Sequence, residues 1–149
     1  SSMIAAGVRS KFFVDIYVGA LYVTNRSSSP AAIIDDGDAR RIVMHMRRDL
    51  DAEVLTKALE EGLAENHPPA ELVALSPQTA QLAGIMREVG KVAVGDAVAI
   101  DFLADGIELS VNGAVRGQVA GEAFGRALLK VWLGDSPVDK SLKAAMLGS

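Results

Sequence analysis

The hydrophobic period of this chain changes from two to 3.6, back to two, and again to 3.6, and no other feature restricts its fold as strongly. Residues 11–23 (KFFVDIYVGALYV) and 40–47 (RRIVMHMR) are rich in β-branched and aromatic residues and read as strands. The first is expected as one long strand, or two segments bent near Gly19, with Phe12, Val14, Ile16 and Val18 on one face. The cluster Ser27-Ser28-Ser29-Pro30 opens a loop, and residues 31–39 hold one short helix. Asp49 or Asp51 then caps a helix running to about Glu65, with Leu55, Leu59 and Leu63 at i, i+4 and i+8. His67-Pro68-Pro69 stops it, and two helical stretches follow, the second entered at Pro77 and closed by Gly90. From Lys91 the period is two again. Three strands joined at Ala104-Asp105-Gly106 and at a tight Asn112-Gly113 turn form an antiparallel meander. Helices over 121–133 and 136–147 close the chain. Strands, helices, a meander and helices, in that order, predict an α+β domain with helices packed on an antiparallel sheet.

At 149 residues, 50% of them hydrophobic, the chain suits one domain with a core that needs no staple. It has no cysteine, hence neither disulfides nor thiolate ligands. A net charge of -4 and a 5% aromatic content lack the electrostatic footprint and the stacking residues of a nucleic-acid binder. No apolar run approaches the ~18 residues of a membrane span. No charged n-region followed by an apolar h-region opens the sequence. The expectation is a soluble, globular domain.

Arg9 immediately precedes the most apolar strand. A guanidinium there must be paired or must face a polar cavity, because an unpaired buried charge is costly. It is either an anion or oxyanion ligand, through its planar fork of donors, or an exposed strand-end arginine with a carboxylate neighbour. Met44-His45-Met46 offers soft metal ligands, but strand alternation puts the methionines on one face and the histidine on the other. The only other histidine, His67, lies beside two prolines, so no metal is expected. Tyr17 and Tyr22, five apart, fall on opposite faces of their strand, each suited to a structural hydroxyl. No Ser/His/Asp arrangement, phosphate loop or paired-acid motif stands out, and no cofactor is implied.

At GVRSKFFVDIYVGALYV (7–23) and WLGDSPVDKSLKAAMLG (132–148) the sequence resembles the bacterial chalcone isomerase-like proteins. The order of elements between the two motifs also fits. The resemblance implies an open-faced β-sandwich, a large antiparallel sheet with helices layered on one face and a ligand cleft between. The plant enzymes of the family close chalcones to flavanones, and their arginine in Gly-Val-Arg corresponds to Arg9. There it stabilises the developing enolate oxygen. Non-catalytic relatives use the equivalent arginine to hold a fatty-acid carboxylate. Tyr17 falls where the enzymes place a threonine. Val54 and Glu61 fall where they carry a tyrosine and an asparagine on the first long helix.

These departures favour a non-catalytic domain that binds a small, largely apolar ligand, fatty-acid-like or aromatic, in a cleft near Arg9 and Tyr17. Valine supplies no phenolic hydroxyl, and Glu61, if it faces the cleft, repels an acidic ligand. One alternative is an intramolecular lyase-type isomerase using Arg9 on an enolate. Another is a protein-interaction module, and an exposed sheet edge offers self-association. Relatives usually carry a strand hairpin before Gly-Val-Arg, where this chain has only SSMIAA, so residues 1–149 are expected as one domain that either lacks that hairpin or is a short variant. The resemblance also implies a periplasmic location.

Overall fold

The computed structural model describes the backbone of residues 2–11 and 14–148 and the side chains of residues 16–148. Six antiparallel strands make the main sheet: β1 (Ser2–Lys11), β2 (Val14–Val23), β3 (Arg40–Met46), β6 (Ala97–Leu103), β7 (Gly106–Val111) and β8 (Ala114–Ala120), side by side in that order. Two short strands, β4 (Leu50–Asp51) and β5 (Lys91–Val92), pair separately. Helix α1 (Pro30–Ile34) lies between β2 and β3, and α2 (Ala52–Asn66) and α3 (Pro69–Val89) lie between β4 and β5. Helices α4 (Glu122–Leu133) and α5 (Lys140–Met146) follow the meander.

Alternation decides which face of the sheet is covered. Leu21, Ile42, Met44, Val98, Ile100, Phe102 and Leu109 are buried against the helices. On the other face Arg41 grips Asp101 with Nε–Oδ1 at 2.6 Å and Nη2–Oδ2 at 3.1 Å. Gln118 donates to Glu108 beside them, so that face is finished with paired polar groups. Helix α4 supplies the central stripe of the helical layer. Phe124, Ala127, Leu128, Val131 and Trp132 recur at helical spacing, and all are buried. The architecture is the α+β arrangement, an open antiparallel sheet with helices on it, that the pattern of periods implied.

Four local expectations change. The last helix, expected over 136–147, begins only at Lys140, where the Asp139 carboxylate caps it by accepting the Leu142 N–H at 2.9 Å, so Ser136, Pro137 and Val138 lie outside it. Residues 11–23 are not one strand. β1 ends at Lys11 and β2 begins at Val14, the two forming an antiparallel pair, and the break is not at Gly19. Gly19 lies inside β2 because Leu142 and Met146 of α5 pack directly over it, 3.2–3.3 Å from where a Cβ would stand. Its small size answers to a close helix, not to a bend. The buried face of β2 carries Tyr17, Gly19, Leu21 and Val23, opposite to the face of Ile16 and Val18. Phe12 and the side chain of Val14 lie outside the described residues.

Helix α3 is continuous through Pro77. Proline removes the N–H that would reach the Val73 carbonyl four residues back. Ser76 Oγ donates to that oxygen instead, at 2.8 Å, so the helix loses no acceptor's partner at the site where the sequence suggested a new start. Asp51 occupies the N-cap of α2 without a side-chain bond, whereas Asp49 accepts from the Val94 N–H at 2.8 Å. The start of α2 is held instead by the β4–β5 pair and by Ala52 N–H donating to the Gly90 carbonyl at 2.9 Å.

The helices α2 and α4 pack tightly at Gly62, where a Cβ would lie 2.7 Å from Val131 Cγ1. Both neighbours are packed, and Val131 is fully buried. Gly62→Ala is therefore expected to destabilise the fold by roughly 1–3 kcal/mol through overpacking, although alanine is the better helix former. Urea unfolding of the two proteins measures it. A gain in stability would show that the helices part without cost.

Candidate functional site

Where β2 begins and α2 starts, the layers leave an apolar cavity. Its described lining comes from Ile16 and Tyr17 of β2, Leu50 of β4, Val54, Leu55, Ala58 and Leu59 of α2, and Val138 just before α5. Its free volume is about 20 Å³, room for roughly one water.

Among the described lining residues, Tyr17 is the one with a polar side chain. It is 4% exposed, and its hydroxyl oxygen lies 3.0 Å from Nε1 of Trp132, a fully buried α4 residue and the only tryptophan in the chain. An indole N–H only donates, so the direction of this bond is fixed and Tyr17 is its acceptor. The bond joins the second strand to the fourth helix across 115 residues. Within the sheet Tyr17 stands between two strands, paired with Arg9 of β1 and Met46 of β3. A register irregularity follows directly, between Arg9 and Ser10. The register thus brings together Arg9 and Tyr17, the two residues singled out from the sequence. The Arg9 side chain lies outside the described residues.

Val54 sits at the rim of the cavity, 47% exposed, in the first turn of α2. Glu61 is exposed and does not line the cavity; it borders a separate shallow groove with Pro137. The anticipated repulsion of an acidic ligand by Glu61 inside the cleft has no basis in this geometry.

The remaining candidates fall elsewhere. Met44 and Met46 are buried in the core while His45 is exposed on the opposite side of β3. His67 lies in the short connection between α2 and α3 and is buried, with Nε2 3.1 Å from the Ala127 carbonyl and Nδ1 3.0 Å from Glu71. It ties the α2–α3 corner to α4. Tyr22 is half-buried on the face opposite Tyr17. Among the described residues no three His, Asp or Glu side chains converge as metal ligands would. Arg40, a buried arginine that sequence reading passed over, donates Nη1 to the carbonyls of Ile33 and Ile34 at 2.8 and 2.6 Å. Burial holds its guanidinium below the usual arginine value, with Asp36 opposing that shift. It closes the C-terminal end of α1 and takes no part in the cavity.

Trp132 and Val138 are the site residues that sequence reading missed. Trp132 reads as one more apolar member of the α4 stripe, and nothing local marks its indole for Tyr17.

A family model described as chalcone isomerase-like matches residues 3–148. No curated protein sequence matches the chain. Among solved structures, that of a fatty-acid binding protein of Arabidopsis thaliana superposes with a TM-score of 0.77, covering 98% of this chain and 86% of the other at 12% sequence identity. At that identity the likeness is one of fold. No helix of the described residues is long and apolar enough to cross a membrane.

Proposed function

The chain belongs to the chalcone isomerase-like family, and from that premise we propose that it binds a small, largely apolar ligand with an oxygen-bearing headgroup and does not turn it over. The observation that carries this reading is the lining of the cavity, in which seven of eight described residues are apolar and Tyr17 alone has a polar side chain. Such a lining favours hydrocarbon, each buried methylene contributing about 0.8 kcal/mol. It offers a headgroup one place to make a polar contact, beside the Arg9–Tyr17 register pair. A fatty acid combines both chemistries, and the Arabidopsis protein of the same fold is a fatty-acid binder. Arg9 is the headgroup's cationic anchor in this reading.

Turnover of a chalcone needs a donor on the enone opposite the guanidinium. Val54, where the resemblance places the enzymes' tyrosine, offers none, and the α2 wall around it is aliphatic. Chalcone absorbance in the presence of the protein is expected to fall no faster than in buffer. An acceleration of about 10⁴ or more, even though it falls short of the ~10⁶ where typical enzymatic rate enhancements begin, would overturn the non-catalytic reading. The test of binding is native mass spectrometry of purified protein before and after organic extraction, followed by calorimetric titration of dodecanoate into the extracted protein. A stoichiometric complex supports the proposal, and no heat with dodecanoate or with a phenolic acid refutes it. An exported, periplasmic location belongs to the same proposal and is read by fractionating cells that express the full-length gene.

A further inference from the structure

The cavity is narrow. Its free volume is about 20 Å³, so a ligand that inserts a chain between the walls must move one of them. The walls differ in how they are held. Ile16 and Tyr17 belong to a strand paired on both sides, and the α2 residues to a helix locked on α4 at Gly62. Leu50 belongs to the β4–β5 pair. Among the described lining residues Val138 alone lies outside every helix and strand, in the segment between α4 and α5.

Lys143 Nζ donates to the Gly134 carbonyl at the start of that segment, at 2.8 Å, and a single side chain grips its middle at Ser136. Asn66, the last residue of α2, donates Nδ2 to the Ser136 carbonyl at 2.8 Å and accepts the Ser136 N–H on Oδ1 at 2.9 Å, as a paired strand would. Its Nδ2 also reaches the Gly62 carbonyl at 2.8 Å, which fixes the amide on its own helix. A Cβ on residue 134 would overlap Asn66 Oδ1, so the glycine there lets the chain come close enough for the pairing. Two residues beyond Ser136, Val138 N–H donates to the Val131 carbonyl at 2.8 Å, and Val138 lines the cavity.

We propose that Val138 sets the calibre of the ligand cavity and that Asn66 is its positioning residue, holding Val138 in place through the two hydrogen bonds to Ser136. The inference rests on the reading of this cavity as the ligand site. Val138→Ala removes methyl groups that face the lining and enlarges the space, whereas Val138→Leu fills it. Asn66→Ala frees the segment without touching the cavity. Asn66→Asp is not a rescue, because a carboxylate keeps the acceptor for Ser136 N–H but has no donor for the two carbonyls.

Two probes separate this inference from the proposed function. Xenon, monitored by its NMR shift, needs only an apolar void and no headgroup. It is expected to saturate Val138→Ala at concentrations that leave wild type and Val138→Leu unoccupied. Amide hydrogen exchange needs no ligand at all. Asn66→Ala is expected to speed exchange at Ser136 and Val138 by tenfold or more while leaving β3 and β6 as they are. Stopped-flow mixing with dodecanoate then reads the functional consequence, an association rate at least threefold higher in Asn66→Ala with a smaller change in affinity. Equal xenon binding in all three Val138 forms, or unchanged exchange at Ser136 and Val138, would overturn the inference. If dodecanoate binds none of the proteins while xenon and exchange behave as stated, the fatty-acid reading falls and the inference stands. Circular dichroism confirms that each variant is folded before it is compared.

Discussion

Arg9→Ala is expected to weaken binding of dodecanoate by roughly 2–4 kcal/mol, the range for removing one member of a desolvated charge pair. The register places Arg9 opposite Tyr17, the one residue of the described lining with a polar side chain. A charge-assisted hydrogen bond is worth more in such surroundings than at a hydrated surface. Arg9→Lys is expected to recover only part of the loss, because an ammonium cannot reproduce the planar fork of donors. Dodecanol, which has the same chain and no charge, is expected to bind both Arg9 variants about as well as wild type. Calorimetry on the three proteins with the two ligands gives the full comparison. Equal dodecanoate affinity in all three would make Arg9 a strand residue with no part in recognition. The interaction-module reading would then take precedence.

The second large effect is on stability. Trp132→Ala is expected to cost about 3–5 kcal/mol, since it empties the volume of the largest fully buried side chain in the structure. Trp132→Phe keeps most of the apolar contact but deletes the donor that Tyr17 accepts, and about 1–3 kcal/mol is expected for disturbing a buried polar pair. Tyr17→Phe is expected to fall in the same range, because it leaves the indole N–H unpaired in the core. The double mutant Tyr17→Phe/Trp132→Phe should then cost less than the sum of the single changes, as both partners leave together. Urea midpoints at constant m-value measure all four. Strict additivity would mean that the 3.0 Å bond adds nothing to the packing of its two rings.

The helical layer was legible because burial on one side writes itself into a helix. Leu55, Leu59 and Leu63 of α2 were expected on one face, and all are buried. Helix α4 shows the same periodicity in Phe124, Leu128, Val131 and Trp132. The meander was legible from its turns: Asn112 has φ 52° and Gly113 φ 83°, the left-handed conformations that an Asn-Gly pair tolerates. What misled the reading at Gly19 and Pro77 was the assumption that a breaker acts on its own chain. At Gly19 the cause is α5, far along the sequence, and at Pro77 a neighbouring serine hydroxyl makes the break unnecessary.

The site divides along the same line. Local sequence determined its ingredients: an arginine just ahead of an apolar strand that carries a tyrosine, and an aliphatic face at the start of α2. These follow from side-chain chemistry and short-range periodicity, which act over a few residues. Tertiary structure decided what the ingredients meet. Pairing of β1 with β2 set Arg9 against Tyr17, the packing of α4 on the sheet brought Trp132 to the Tyr17 hydroxyl, and Asn66 found Ser136 across 70 residues. The physical reason is range: a hydrogen bond between distant segments depends on the packing of every element that carries them, and no pattern in either segment records its partner.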